Sequence, residues 1–268
     1  MKTNPLPKDR ERDDRWRYGS VSWPEFDSLT LPMRQDHVPW RFSAVAFDLD
    51  GLLINTEPIF RETMRTVLQR RGITFDPVFM QSMMGVPAAQ SLPRMRDHFG
   101  LSEAVTSLAD ECKHTFIEIL GNSRAPLMQG VHDVLRRIRE RRITCAIVTS
   151  SSRAFVDQVF GPHQLLDHFA FVITSDNVTR GKPYPDVYQL AAKHFGITPD
   201  DMVVFEDSPN GLLAAKAAGA RCIVIPHEHT NMDAVSIADA VVPSLDSHEL
   251  RSLLGWQDAP EPELDESN

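Results

Sequence analysis

The chain is poor in cysteine, with only Cys112, Cys145 and Cys222 among its 268 residues. So few thiols, odd in number, supply no disulfide framework. That excludes the small stapled scaffolds of secreted proteins and favours a reducing cytoplasmic setting. Cys145 and Cys222 lie inside the apolar runs "ITCAIV" and "RCIVI", where a thiol packs as a small core residue. No apolar run approaches the ~18 residues of a membrane-spanning helix, so no membrane partner is expected. The charged first residues carry no apolar signal core, so secretion is not expected. Positive charge is also in short supply. Lys and Arg number 28 against 37 Asp and Glu, for a net charge of −9. With no basic stripe, a nucleic-acid partner is not expected. What remains is an ordinary globular composition, 42% hydrophobic and 24% charged.

Pattern divides the chain into four parts. Residues 1–42 read as an N-terminal extension, polar at first, with Trp23, Phe26, Leu29, Leu31 and Trp40 available to pack on the main domain or on a partner. Residues 257–268 form an acidic tail carrying Asp258, Glu261, Glu263, Asp265 and Glu266 and no base. Between them lie six short apolar runs: "SAVAFDLD", "ITCAIVTS", "AFVITSD", "DMVVFEDS", "RCIVIP" and "ADAVVP". Helical patterns separate most of these runs, including "GVHDVLRRIRERR", "YPDVYQLAAKHFG" and "SPNGLLAAKAAG". Buried strands alternating with helices predict an α/β fold, a Rossmann-like parallel sheet covered on both faces.

The stretch from Asp50 to Thr149 is too long for one crossover. Its surplus is helical. "EPIFRETMRTVLQRRG" places Phe60, Met64, Val67 and Leu68 at helical spacing. "SEAVTSLADECKHTFIEILG" offers Ser102 as an N-cap and turns Leu108, Cys112, Phe116, Ile119 and Leu120 inward. Shorter helices are expected in "DPVFMQSMMG" and "AQSLPRMRDHFG". Residues 58–127 therefore read as a helical cap inserted into an α/β core of residues 43–57 and 128–256. Ligands bind at the carboxyl ends of strands in open sheets, so an insert leaving that edge would form a lid over the site.

Polar groups gather at four strand ends. The first run ends in Asp48-Leu49-Asp50-Gly51 and the second in Thr149-Ser150. Lys182 follows the third, in "GKPYPD", and Glu206-Asp207 closes the fourth. A parallel sheet brings these ends to one edge. One lysine does not neutralise four carboxylates, whereas a hard divalent cation with oxygen ligands does. Mg²⁺ fits, because it retains waters and also takes a substrate phosphate. On this reading Asp48 is a nucleophile that forms an acyl phosphate. Asp50 is the acid that protonates the leaving oxygen and the base that then activates water. Thr149, Ser150 and Lys182 hold phosphoryl oxygens, and Asp207 with Glu206 completes the metal site.

Taken singly, each group has a plainer role. Asp-x-Asp-Gly also makes turns and calcium loops, and Glu206-Asp207 also suits a helix N-terminus. His227-x-His229 looks like a metal pair, but exposed loop histidines are commoner. The motifs gain their weight from occurring in this order, each after an apolar strand.

Those motifs resemble the haloacid-dehalogenase-like (HAD) hydrolase superfamily. "FDLDGLLINTE", "IVTS", "GKPYPD" and "VFEDSPNGLLAAKAAG" are similar to its four motifs. The helical insert resembles the C1-type cap of the phosphatase and β-phosphoglucomutase-like group. "DGLLINTE", "MMGVPAAQSL", "TSSSRAF" and "FEDSPNG" are similar to stretches of pseudouridine-5′-phosphatase-like enzymes. The resemblance implies a Mg²⁺-dependent phosphatase of a small phosphorylated metabolite, a sugar phosphate or nucleoside-monophosphate-like compound. It also implies Mg²⁺ on Asp48, the Asp50 backbone carbonyl and Asp207, with Glu206 close by. A mutase of the group grips a second phosphate with a cap arginine. Here Ala88 stands in that place, and Phe60 replaces a histidine of the first cap helix. The alternatives are a sugar phosphomutase and a receiver-like phospho-aspartate switch or non-catalytic binder. Receivers lack both the long helical insert and the late Glu-Asp pair.

Overall fold

The computed structural model describes residues 39–83, 88–122, 124–227 and 230–256. Six parallel strands form one sheet: β1 (Ala44–Phe47), β2 (Thr144–Val148), β3 (Val172–Ile173), β4 (Met202–Glu206), β5 (Arg221–Val224) and β6 (Ala240–Val241), in the order β3-β2-β1-β4-β5-β6. These are the six apolar runs of the sequence, and the α/β expectation holds. Helices α1 (Glu57–Gln69), α2 (Pro77–Gln81), α3 (Ala88–Phe99) and α4 (Val105–Asn122) lie between β1 and β2, followed by α5 (Val131–Glu140). Then come α6 (Arg153–Val159), α7 (Asp186–Phe195), α8 (Pro209–Ala218) and α9 (His248–Leu254).

Strand alternation splits the core in two. Val45, Phe47, Cys145, Ile147, Val203 and Phe205 face the layer that holds α5, α6 and α9. Ala46, Val148, Val204, Cys222 and Val224 face α7 and α8. Phe47 and Phe205 stack across neighbouring strands at 4.9 Å, which ties β1 to β4. Helix α5 buries Val131, Val134, Leu135 and Ile138, the face its spacing foretold. Gly196 and Gly219 cap α7 and α8 in the left-handed conformation, so both helices stop where the sequence put glycine. All three cysteines are free and buried. Among the described residues no helix is long and apolar enough to cross a membrane.

Helices α1, α3 and α4 hold their own apolar cluster, built on Val67, Leu68, Leu92, Met95, Leu108 and Cys112. The two chain segments joining these helices to the sheet are paired. Asn55 N–H donates to Pro126 O at 2.8 Å, and Met128 N–H to Leu53 O at 3.1 Å. One expectation within these helices is corrected. Helix α4 starts at Val105 rather than after Ser102, its first backbone bond running from Leu108 N–H to Ala104 O. The chain ahead of that bond is held by Glu103, whose carboxylate pairs with Arg71 at 2.8 Å. In α1, Ile59 is the buried apolar residue of the first turn, and Phe60 is 38% exposed.

Trp40 and Phe42 pack onto the core beside Trp256, and the Phe42 and Trp256 rings lie 6.3 Å apart. Trp23, Phe26, Leu29, Leu31 and the acidic tail fall outside the described residues.

Candidate active site

The sheet order reverses direction between β1 and β4, which makes the carboxyl end of that pair the crevice of the fold. Asp48 follows β1 directly, and its N–H donates to Phe205 O on β4 at 3.0 Å. Glu206 ends β4 and Asp207 comes next. Oxygen atoms of Asp48, Glu206 and Asp207 all lie within 4.8 Å of one another, and all three residues are buried. Lys182 reaches into the cluster from the loop before α7. Its Nζ is 2.5 Å from Asp48 Oδ1, 2.6 Å from Glu206 Oε1 and 2.9 Å from Val148 O.

One buried cation thus faces three buried carboxylates. Desolvating such a set is costly unless further positive charge compensates it. Burial pushes Asp48 well above the usual carboxylate range, and Lys182 only partly opposes this. Burial also raises Asp207, against a lowering by His227. Burial by itself would lower Lys182, but the Asp48 and Glu206 carboxylates outweigh it and raise the ammonium above its ordinary value. The donor set is all oxygen and anionic, which is what a hard divalent cation requires. Space is provided as well. Gly51 turns with φ of 88°, and a Cβ there would overlap Oδ2 of Asp207. The residues present therefore fit Mg²⁺.

Glu206 is the most heavily engaged of the three acids. Oε1 accepts from Lys182 and from the Tyr188 hydroxyl at 2.6 Å. Oε2 accepts from the Ser208 hydroxyl at 3.1 Å and from the Asp207 N–H at 3.3 Å. Tyr188 is completely buried. Its partner lies 18 residues further along, a distance at which periodicity carries no signal.

Asp50 is separate from this cluster. Its Oδ1 accepts from the Thr56 hydroxyl at 2.5 Å, just ahead of α1. Burial pushes its pKa up to about 6, with the Thr56 bond pulling the other way. Thr149 is buried at the end of β2, where its oxygen accepts from Ser151 N–H at 3.1 Å, and Ser150 beside it is exposed. The structure thus places Asp48, Asp50, Thr149, Ser150, Lys182, Glu206 and Asp207 along one edge of the sheet.

Sequence reading missed Tyr188 and Thr56 and misjudged His227. That histidine does not stand off as an exposed loop residue, because its Nε2 lies 3.3 Å from Asp207 Oδ2. Strand pairing explains this. Glu206 is in register with Val224, so the chain leaving β5 emerges beside Asp207. The Thr230 hydroxyl donates to Asp207 O and accepts from His227 N–H, both at 3.1 Å. His229 lies outside the described residues.

The profile of the haloacid dehalogenase-like hydrolases matches residues 45–225. The validoxylamine A 7′-phosphate phosphatase of Streptomyces hygroscopicus subsp. limoneus is 34% identical, over 78% of this chain and 96% of its own. A Drosophila melanogaster protein named "probable pseudouridine-5′-phosphatase" is 31% identical, over 74% of this chain and 88% of its own. Among solved structures, a HAD family hydrolase from Deinococcus radiodurans with bound phosphate and sodium superposes with a TM-score of 0.68. It is 27% identical and covers 81% of this chain and 96% of that one.

Proposed function

The chain belongs to the haloacid dehalogenase-like hydrolases, and from that premise we propose that it is a Mg²⁺-dependent phosphomonoesterase of small phosphorylated metabolites. The observation that carries the reading is the buried set of Asp48, Glu206 and Asp207 with Lys182 as their cation. Mg²⁺ would be held by Asp48, Asp207 and the Asp50 backbone carbonyl, with Glu206 close by. When bound, it supplies positive charge to the phosphoryl oxygens.

The chain's own groups carry the two steps. A carboxylate oxygen of Asp48 bonds to phosphorus while the ester P–O bond breaks. The leaving oxygen takes its proton from Asp50, whose pKa, pushed up to about 6, keeps that proton in place at mildly acidic pH. Thr149 and Ser150 receive the phosphoryl oxygens, and Lys182 offsets their charge. In the second step the Asp50 carboxylate takes a proton from water. The water oxygen bonds to phosphorus and the bond to Asp48 breaks, which restores both acids and releases inorganic phosphate. Helices α1–α4 act as the cap, and the paired segments at Leu53–Asn55 and Pro126–Met128 are its hinge.

Water rather than a second phosphate-bearing alcohol is the acceptor. A mutase must grip a bisphosphate, best done by an arginine in the cap. The cap position for it holds Ala88, which opens α3 and follows 84–87, a stretch outside the described residues. Three other arginines are candidates for that grip: Arg96 pairs with Asp97 at 2.7 Å, Arg153 pairs with Asp157 at 2.8 Å, and Arg94 is exposed on α3. The test is a panel of sugar phosphates, nucleotides and phosphoglycolate with and without Mg²⁺, read as released inorganic phosphate. Hydrolysis that needs the cation supports the reading. Conversion of β-glucose 1-phosphate to glucose 6-phosphate without stoichiometric phosphate release overturns it in favour of the mutase.

A further inference from the structure

Among the described residues, six helices end in the same turn. In each, a residue in the left-handed conformation is followed by an N–H that closes onto a carbonyl five residues earlier. Glycine fills the left-handed place after α1, α3, α7, α8 and α9, as Gly72, Gly100, Gly196, Gly219 and Gly255. Helix α5 uses Arg142 instead, with φ of 55° and Ile143 N–H on Ile138 O at 3.0 Å. A Cβ makes this conformation costly. Gln164, at φ of 58°, is the one other non-glycine residue at positive φ among the described residues. Both residues line the same groove, of about 600 Å³. An arginine near a helix C-terminus also offsets the helix dipole. Arg139 already does so from within the last turn of α5, so the dipole does not account for Arg142.

The groove opens on the segments that lead into β2 and β3, at the amino edge of the sheet and opposite Asp48. Its floor is apolar, made by Leu135, Ile138 and Ile143. Arg139 and Arg142 stand exposed beside that floor, and Gln164, Asp167 and His168 line the side toward β3. Neighbouring arginines of α5 are engaged. Arg136 pairs with Asp133 and Glu140, and Arg137 pairs with Asp133 and donates to Trp256 O. Among the described residues no ion pair or side-chain hydrogen bond holds Arg139 or Arg142. The groove thus offers an apolar strip beside two uncommitted guanidinium groups.

The acidic tail begins beside this same helix. Trp256 O accepts from Arg137 at 2.8 Å, and the Arg141 guanidinium lies 5.7 Å from the centre of the Trp256 ring. Arg142 is the next residue. The twelve residues after Trp256 carry five acids, no base and one large apolar side chain, Leu264, set between Glu263 and Asp265. Fully extended they span roughly 40 Å, against about 15 Å for the whole of α5. We infer that residues 257–268 dock in this groove, with Leu264 on the apolar floor and the flanking carboxylates on Arg139 and Arg142. Opposite charge sets the register. The tether supplies the strength. One exposed ion pair is weak, but a segment tied to the same helix meets the groove at an effective concentration in the millimolar range. Pro260 and Pro262 restrict the intervening backbone, which lowers the entropy lost on docking.

The test follows cleavage of the Glu266–Ser267 bond by a glutamate-specific protease, in the full chain and in a free peptide of the same tail sequence. Protection is the ratio of the peptide rate to the full-chain rate. Wild type should be protected about tenfold or more at low salt, and the protection should fade at about 0.5 M salt. Arg139→Glu with Arg142→Glu should abolish it, and adding Glu263→Lys with Asp265→Lys should restore it. Arg142→Gly should lose most of it while the thermal midpoint stays at or above that of wild type, which separates tail binding from the turn itself. Should the charge reversals fail to fold, Arg139→Gln and Arg142→Gly carry the comparison. Protection near one in wild type, protection that survives the arginine changes, or a folded charge swap that does not restore it overturns the inference. Protection that falls on dilution also overturns it, because the tail of a second copy would then fill the groove.

Discussion

The carboxylate of Glu206 fills the volume that a side chain on Gly211 would need. A Cβ at Gly211 would overlap both carboxylate oxygens. Glu206 has nowhere to retreat, being held by Lys182, Tyr188 and Ser208. Gly211 lies in the first turn of α8, where Gly→Ala ordinarily stabilises by roughly 0.5–1 kcal/mol. Here the sign reverses. Gly211→Ala should destabilise by about 1–3 kcal/mol through overpacking, seen as a lower midpoint in urea or thermal unfolding. It should also depress turnover, because Glu206 anchors Lys182. A midpoint above wild type would show that the carboxylate does not occupy this space.

Asp50 sets a pH limb. Its pKa of about 6 means that the acid form is lost as pH rises through that value. In single-turnover assays the first transfer from an alkyl phosphate, a poor leaving group, should slow above about pH 6. Transfer from p-nitrophenyl phosphate should change little. Asp50→Asn should remove the contrast and slow the alkyl substrate by about 10²–10⁴-fold. Thr56→Val deletes the bond that lowers this pKa, so its limb should move to higher pH. The same pH dependence for both leaving groups would refute Asp50 as the acid.

Cation binding should be legible in stability. Burial raises the Asp48 and Asp207 carboxyls, so the native state without a cation holds protons that the unfolded chain has released. Stability without Mg²⁺ therefore falls as pH rises above the unfolded carboxylate pKa, roughly 4. Mg²⁺ relieves the repulsion, and at a hundredfold excess over its dissociation constant it should add about 2.7 kcal/mol. Its thermal shift should be larger at pH 8 than at pH 5, where protons compete for the site. Asp207→Asn should lose most of the shift. A shift independent of pH and retained by that variant would place the cation elsewhere.

Much of this was written in the sequence. The six strands were visible because each is a short apolar run, and a parallel sheet buried on both faces needs nothing else. The carboxylates were visible because each directly follows such a run. Tyr188 and Thr56 were hidden because their roles depend on which residues meet in space. Tyr188 meets Glu206 only when α7 packs on the sheet, and Thr56 meets Asp50 only after the chain turns at Gly51. His227 was misjudged for the same reason, since its approach to Asp207 follows from β5 pairing beside β4. Spacing alone put Phe60 in one helical series with Met64, Val67 and Leu68. Periodicity fixes an apolar stripe only to within a residue, and Ile59 took the buried place.

The most direct test asks whether phosphorus passes through Asp48. Wild-type enzyme and Asp48→Asn are mixed with excess phosphomonoester and Mg²⁺, quenched in acid during turnover, digested and examined by mass spectrometry. The wild-type peptide containing Asp48 should carry a phosphoryl group. Asp48→Asn should carry none and release no phosphate, while unfolding like wild type. Steady hydrolysis by Asp48→Asn, or wild-type turnover with the Asp48 peptide never phosphorylated, would contradict the account.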